Sequence, residues 1–279
     1  MPQIEPRDKS LKNLKGLHLW HAPLSSCSQR VRLVLAERGL AFQSHVVNLE
    51  AGEHASAAYQ AIHPKGVVPA LVQDGRLFIE SIDIIRHLAS DDRDLSKGAH
   101  DLVHLADGAL DLLYLADGAQ ADLKLLTFEF LFQGMPPPTE DQAKAFQNAH
   151  RNAWLKQFHL DFQAGFDRDR IDHAVRRTAA AFCVVDARLA DGRRCLSGDA
   201  LSLDDIAWLP NAHRFSLMGW PMERTPFLAA WFERMRARQS YPTALTDWQP
   251  DEVTEAFARY TAQRRAQGTD IRMFGGLGA

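Results

Sequence analysis

Three cysteines in 279 residues, Cys27, Cys183 and Cys195, are too few and too scattered for a disulfide framework, and they form no CxxC pair or metal-type spacing. Such usage fits a reducing compartment, with the cytoplasm as the default. Charge of one sign is lacking too. The 32 Lys and Arg stand against 35 Asp and Glu, a net of -3, which gives no electrostatic reason to expect nucleic acid or an anionic membrane as partner. Long apolar runs are also missing. The longest, near 123–132, is interrupted and too short for a bilayer, and residues 1–16 are polar and charged without a signal-type apolar core. Yet 46% of the residues are hydrophobic, enough to bury a full core, and the length allows two domains. Small molecules or proteins are the partners to expect.

What is present changes character near residue 90. Up to that point short strands and helices alternate: 17–22 reads as a strand, 27–38 as a helix ended by Gly39, and 42–49 as a second strand. A helix over 55–62 follows, then a turn at His63-Pro64-Lys65-Gly66. Residues 70–72 and 77–79, joined at Asp74-Gly75, form a hairpin, and 81–88 closes the unit as a helix. Beyond 90 the periodicity is helical throughout. One long helix is expected over 101–132, broken by Pro136-Pro137-Pro138 from another starting near Glu140, with further helices at 171–189, 203–218, 227–238 and 251–264 and a loose tail over 268–279. The fold class is α/β followed by all-α. Ser202 to Asp205 reads as a helix cap of structural role, since an acid in the first turn is what the helix dipole favours.

Chemistry concentrates in two places. Val67-Val68-Pro69-Ala70-Leu71 puts a proline at a strand entrance, where it leaves the edge groups of Val68 free to pair with something else. After the hairpin comes Glu80-Ser81, with Ser81 expected as the N-cap of a helix whose outward amides suit a carboxylate. Taken singly, both features are ordinary strand and cap punctuation. The second place is Pro23 to Arg30, between the first strand and first helix, the end at which an open α/β sheet places ligands. Ser26 with Gln29 satisfies a capping box, which leaves Ser25 spare for chemistry. No nucleophile elbow surrounds Ser25. Its hydroxyl at a positive helix end can instead donate to the thiolate of a bound thiol and lower that thiol's pKa. Cys27, in the first helical turn, is either a favoured thiolate capable of mixed-disulfide chemistry or a small buried apolar residue.

These residues resemble a cytosolic glutathione transferase. Leu24-Ser25, Arg30-Val31 and the run Val34-Leu35-Ala36-Glu37-Arg38-Gly39-Leu40 are similar to the first-helix signature of the phi and zeta classes, and Ser25-Ser26-Cys27 with Arg30-Val31-Arg32 is close to the zeta Ser-Ser-Cys motif. Gly52-Glu53-His54, the run to Pro69 and the spacing on to Glu80-Ser81 match the phi pattern. The resemblance implies an N-terminal extension over 1–16, a thioredoxin-like glutathione-binding domain over 17–92, and an all-helical domain over 93–279 with an electrophile pocket and a C-terminal extension. It implies that Ser25 hydrogen-bonds the glutathione thiolate and that Val68 pairs its backbone with the cysteinyl unit before cis-Pro69. Glu80 and Ser81 would hold the γ-glutamyl end, and His54 would meet the glycyl carboxylate. Two positions depart from the pattern: Ala55 replaces a lysine and Val67 a glutamine, for which Lys65 would compensate.

In the helical part, His104, Asp107, Asp111, Tyr114 and Asp122 share one face, a solvated or dimer-facing stripe from which Tyr114 is the pocket candidate. Trp208, His213, Phe215 and Met218 are further candidates, though core packing accounts for most such residues. The expected function is a cytoplasmic, homodimeric detoxification enzyme in which Ser25 activates glutathione for attack on an apolar, aromatic electrophile. An alternative within the fold uses Cys27, as in glutathione-dependent reductive dehalogenases or β-aryl etherases. Zeta-type isomerisation is weakened by Gln29 in place of the family tryptophan. A non-catalytic interaction protein of the same fold is the remaining reading, against which Ser25, Glu80 and Ser81 argue.

Overall fold

The computed structural model describes residues 3–90 and 110–278. By contacts the chain divides into two units, Met1–Asp101 with Pro137–Gln163, and Leu102–Pro136 with Ala164–Ala279.

The first unit carries a five-stranded sheet in the order β1-β5-β4-β2-β3. Its strands are β1 (Gln3–Ile4), β2 (Leu17–His21), β3 (Gln43–Val46), β4 (Ala70–Gln73) and β5 (Arg76–Ile79). Parallel β2 and β3 are joined through helix α1 (Ser26–Glu37), as parallel neighbours require, and the other pairs are antiparallel. The hairpin between β4 and β5 turns on Asp74 and Gly75, with φ of 48° and 78°. Two positive φ values in a row match the right-handed twist of the strands, and a Cβ on Gly75 would lie 2.5 Å from the Lys12 carbonyl oxygen. Helix α2 (Ala57–Ile62) precedes the hairpin and α3 (Ser81–Ala89) follows it. Apolar residues of α1 (Val31, Leu33, Val34, Leu35) and α3 (Ile82, Ile84, Ile85, Leu88) are buried where the two helices pack together.

Residues 3–16 join this sheet. Gln3 and Ile4 pair with Phe78 and Leu77 along the edge of β5, and Leu11 sits in a cluster with Ala70, Val72, Leu77 and Ile79. The extension therefore covers an edge that would otherwise offer unpaired amides. Helices α6 (Glu140–Ala149) and α7 (Ala153–Ala164) fall mainly in this unit as well, α6 opening on a Thr139–Gln142 capping box.

The second unit is helical, with α4 (Leu110–Gly118), α5 (Gln120–Phe130), α8 (Arg168–Leu189), α9 (Leu203–Leu217), α10 (Pro226–Arg236), α11 (Ser240–Ala244) and α12 (Asp251–Ala266). Its aromatic core joins Phe182, Trp208, Phe215 and Trp220. The long helix expected over 101–132 is, within the described residues, two helices that meet at Ala119; its start, with His104 and Asp107, lies outside them. The capping role read for Asp205 holds: its carboxylate accepts from Ser202 N–H (2.8 Å), Ser202 Oγ (2.6 Å), Leu196 N–H (2.9 Å) and Trp231 Nε1 (2.7 Å). The loose tail expected over 268–279 is corrected. Ile271, Phe274 and Leu277 are buried, and Gly275 N–H donates to Asp172 Oδ1 (2.7 Å). Apolar residues at every third position, on and just after a 3-10 turn at Ile271–Met273, dock the segment, a period too short to read against its glycines.

Buried histidines set the pH response. Burial, aided by nearby cations, holds His21 down to about 3 and His213 to about 3, and burial brings His63 to about 4. Below about pH 6.5 the unfolded chain takes up protons that the folded chain refuses, so stability is full above that pH and falls toward pH 4. Asp204, raised by burial to about 6, works the other way: its cost is present above pH 6 and lifts below it. Asp205, likewise raised by burial, acts in the same sense as Asp204; three histidines still outweigh two aspartates, so the urea midpoint should drop between pH 7 and pH 4.5. His213→Gln should remove on the order of 1–2 kcal/mol of that pH dependence; an unchanged slope would contradict the assignment.

Candidate functional site

Every catalytic or glutathione-binding residue read from the sequence lies in the first unit, and backbone groups that the sheet leaves unpaired organise them. At the end of β2 the chain turns through Ala22-Pro23-Leu24, and Ser25 N–H closes the turn on the Ala22 carbonyl (3.2 Å). The turn is fixed from below. Arg32 donates to the carbonyls of Ala22 (3.1 Å) and Pro23 (2.8 Å), and to His21 Nδ1 (2.9 Å). Because the guanidinium only donates, His21 carries its proton on Nε2, which meets Ser44 Oγ at 2.8 Å. Burial lowers Arg32 to about 9, which leaves it cationic at neutral pH beside an uncharged imidazole.

This turn shifts the helix start by one residue from the sequence reading. Ser25, not Ser26, is the N-cap of α1: its Oγ accepts from Ser28 N–H (3.2 Å), and its carbonyl accepts from Gln29 N–H (2.8 Å). Ser25 is therefore not spare, as expected, but shared. Accepting an amide uses a lone pair and leaves the hydroxyl proton to donate at the positive end of the helix. Ser26 and Cys27 are the first two helical residues, and Cys27 is half-buried.

Val68 and Pro69 are joined by a cis peptide bond. The β4 ladders begin at Ala70, opposite Trp20 and Ile79, so Val68 stands two residues before the first paired position. Just upstream, Val67 carbonyl accepts from the buried Tyr59 hydroxyl (2.8 Å). At the far end of the hairpin Glu80 takes φ 67°, ψ 116° and occupies the N-cap position of α3 expected for Ser81. Ser81 is the first helical residue instead, buried, with its Oγ accepting from Arg30 Nη1 (3.2 Å). Lys65 Nζ lies 2.7 Å from Glu80 Oε1. That contact puts Lys65 at the Glu80 end of the site rather than with His54, for which the sequence had offered it. His54 is buried in a 3-10 turn (Glu53–Ala55), its ring 5.5 Å from Phe146 and 5.4 Å from His150.

Of the residues considered for a pocket in the helical part, Trp208, His213, Phe215 and Met218 are core. Trp208 Nε1 donates to the Leu112 carbonyl (3.0 Å), and His213 Nδ1 pairs with the Tyr241 hydroxyl (2.7 Å). Tyr114 is exposed, and Asp122 of the same stripe binds Arg177 of α8 through two hydrogen bonds (2.5 and 2.8 Å). Sequence reasoning missed the supporting groups: Arg30 behind Ser81, Arg32 under the Ser25 turn, Tyr59 on Val67, and His150. None carries a local signal, because each meets its partner only after the chain has folded back.

Residues 24–91 match the family model described as glutathione S-transferase, N-terminal domain. A maleylacetoacetate isomerase of Pseudomonas aeruginosa is 51% identical over 67 residues, 23% of this chain and only 32% of that isomerase. A tetrachloro-p-hydroquinone reductive dehalogenase of Sphingobium chlorophenolicum is 27% identical over 252 residues, covering 81% of this chain and 94% of the dehalogenase. Among solved structures, the β-etherase LigF from a Sphingobium strain superposes with a TM-score of 0.69 at 20% identity, over 82% of this chain and 98% of the etherase. High identity is thus confined to a short stretch of the chain, and the fold likeness runs through most of it.

Glu80 offers a test of the site's backbone. A non-glycine residue at φ 67° is strained, and its ion pair with Lys65 is exposed and contributes little. Glu80→Gly should therefore raise the unfolding free energy by about 1 kcal/mol, strain relief exceeding the entropic cost of glycine. Urea denaturation reads the change, and a marked loss of stability would show that the carboxylate holds the fold.

Proposed function

We propose that this chain, whose residues 24–91 match the glutathione S-transferase N-terminal domain, is a glutathione transferase in which the first unit binds glutathione and Ser25 activates its thiol for attack on an apolar, aromatic electrophile. The observation that carries this reading is the division of labour at Ser25, whose oxygen caps α1 while its proton remains available. A thiolate beside it receives that hydrogen bond and the favourable field of the helix end, both of which stabilise the anion over the thiol. The activated sulfur then forms a C–S bond with the electrophilic carbon, and the leaving group departs with its electron pair.

The other residues hold the tripeptide. Val68, outside the ladder, presents its N–H and C=O to the cysteinyl unit as a strand would. Glu80 pairs with the γ-glutamyl ammonium. Ser81 and the first amides of α3 receive the γ-glutamyl carboxylate, with the Arg30 guanidinium behind the Ser81 hydroxyl adding positive charge. His54 is enclosed by Phe146 and His150, so a contact with the glycyl carboxylate would come from its edge of that cluster. A homodimer in the cytoplasm completes the reading, and among the described residues no helix is long and apolar enough to cross a membrane.

A second reading rests on Cys27, half-buried in the first turn of α1, together with the dehalogenase and etherase named above. There Cys27 thiolate would take the glutathionyl sulfur from a glutathione–aryl conjugate. The aryl carbon leaves reduced by two electrons and gains a proton, and Cys27 and glutathione end as a mixed disulfide that a second glutathione resolves.

Calorimetry with glutathione at millimolar concentration comes first; absence of heat would leave only a non-catalytic protein of this fold. Ser25→Ala should then cut kcat/KM for chlorinated aromatic electrophiles about 100-fold, in line with loss of one charge-directed donor, and raise the pKa of the bound thiol. Turnover unchanged in Ser25→Ala but abolished in Cys27→Ser would transfer the chemistry to Cys27.

A further inference from the structure

Segment 137–163 packs with the sheet unit, and its central turn is bolted to the loop that leads into Val68-Pro69. Gln60, fully buried on α2, donates through Nε2 to the carbonyls of Ala55 (2.6 Å) and Ala149 (2.9 Å), and its Oε1 accepts from Arg151 N–H (3.1 Å). His150, buried between those two anchors, places Nε2 3.0 Å from the Gly66 carbonyl and Nδ1 3.0 Å from Asn152 N–H. The tautomer follows. Asn152 N–H can only donate, so Nδ1 accepts and Nε2–H donates to Gly66.

Two consecutive carbonyls ahead of Val68 are thus held from opposite sources: Gly66 by His150 of the segment, and Val67 by Tyr59 of α2. The fit is close. A Cβ on Gly66, whose φ is 60°, would lie 2.7 Å from His150 Nε2 and 2.9 Å from the His54 carbonyl oxygen. Phe146 of α6 backs the arrangement, its ring 4.9 Å from His150 and 5.5 Å from His54.

We propose that segment 137–163 is a clasp on the thiol-binding loop, with His150 as a positioning residue that fixes Val68 for the ligand through the Gly66 carbonyl. The proposal rests on the glutathione reading of the site. Its physical content is that Val68, having no ladder partner, does not order itself. A strand-like edge binds a peptide well only when its own conformation is settled beforehand, since ordering it on binding subtracts from affinity. The clasp supplies that order in advance from a part of the chain 84 positions away.

The test compares His150→Phe, which keeps ring packing but has no donor, with His150→Gln, whose amide reaches the same carbonyl. His150→Phe should weaken glutathione binding by calorimetry about five- to tenfold, the worth of one hydrogen bond. It should also speed amide exchange in a peptide spanning 64–69 of the ligand-free protein. The pKa of the bound thiol should stay at the wild-type value, because Ser25 sets it, and His150→Gln should return affinity to within twofold of wild type. A folded His150→Phe protein with wild-type affinity overturns the proposal. So does a thiol pKa shift as large as that of Ser25→Ala, or failure of glutamine to restore binding. If the phenylalanine variant does not fold, His150→Asn, too short to reach Gly66, gives the same comparison. Should the wild type show no glutathione binding, the functional reading fails, and the clasp is then judged by exchange at 64–69 alone, where no acceleration overturns it.

Discussion

Buried backbone N–H and C=O groups must find partners, and the site is organised by how this chain meets that demand where sheet and helix do not. At Ala22 and Pro23 the carbonyls are taken by Arg32. Gly66 and Val67 are taken by His150 and Tyr59, and the first amides of α1 by Ser25. Each solution turns an irregular stretch into a fixed one without extending the ladder. Val68 is left outside the ladder, which is why the proposed function seats the ligand's backbone there.

The same demand explains which parts of the molecule could be read from the sequence. The β4–β5 hairpin was legible because Asp74-Gly75 between apolar runs fixes both turn and register within a few residues. So was the Ser202–Asp205 cap, whose partners sit three positions apart. The start of α1 was off by one residue because Ser25 and Ser26 are equally good caps by type. The choice is made by the turn Ala22–Ser25, which depends on Arg32 and β2. Ser81 and Glu80 exchanged places for a similar reason: no local rule favours a glutamate at positive φ. The clasp was illegible, since nothing about a buried histidine announces a carbonyl 84 positions earlier in the chain.

Charge around the site is set by burial and hydrogen bonding together. Burial keeps His21 and His63 neutral and lowers Arg32 only to about 9, so Arg32 stays cationic while it donates to carbonyls and an uncharged imidazole. A neutral His21 matters, because a second cation there would repel Arg32 and loosen the turn that presents Ser25. Arg30, fully buried, sends one of its donors to Ser81 rather than to solvent. Positive charge therefore sits behind both helix starts, where it favours anions at the surface.

Glu80 is where these constraints meet. Its backbone strain is imposed by a chain that must leave β5 and enter α3 with Ser81 turned back toward Arg30. Glycine would take that φ more easily, yet glycine brings no carboxylate. The carboxylate in turn is not left bare: Lys65, one residue before the clasped Gly66, neutralises it. Because that pair is exposed, its dissolution costs little, so in the proposed function the γ-glutamyl ammonium can replace Lys65 at Glu80 while the lysine returns to water. The ion pair thus balances the Glu80 carboxylate and stays open to exchange, and under the proposed function the strain at Glu80 is retained for the contact that its side chain makes with the ligand.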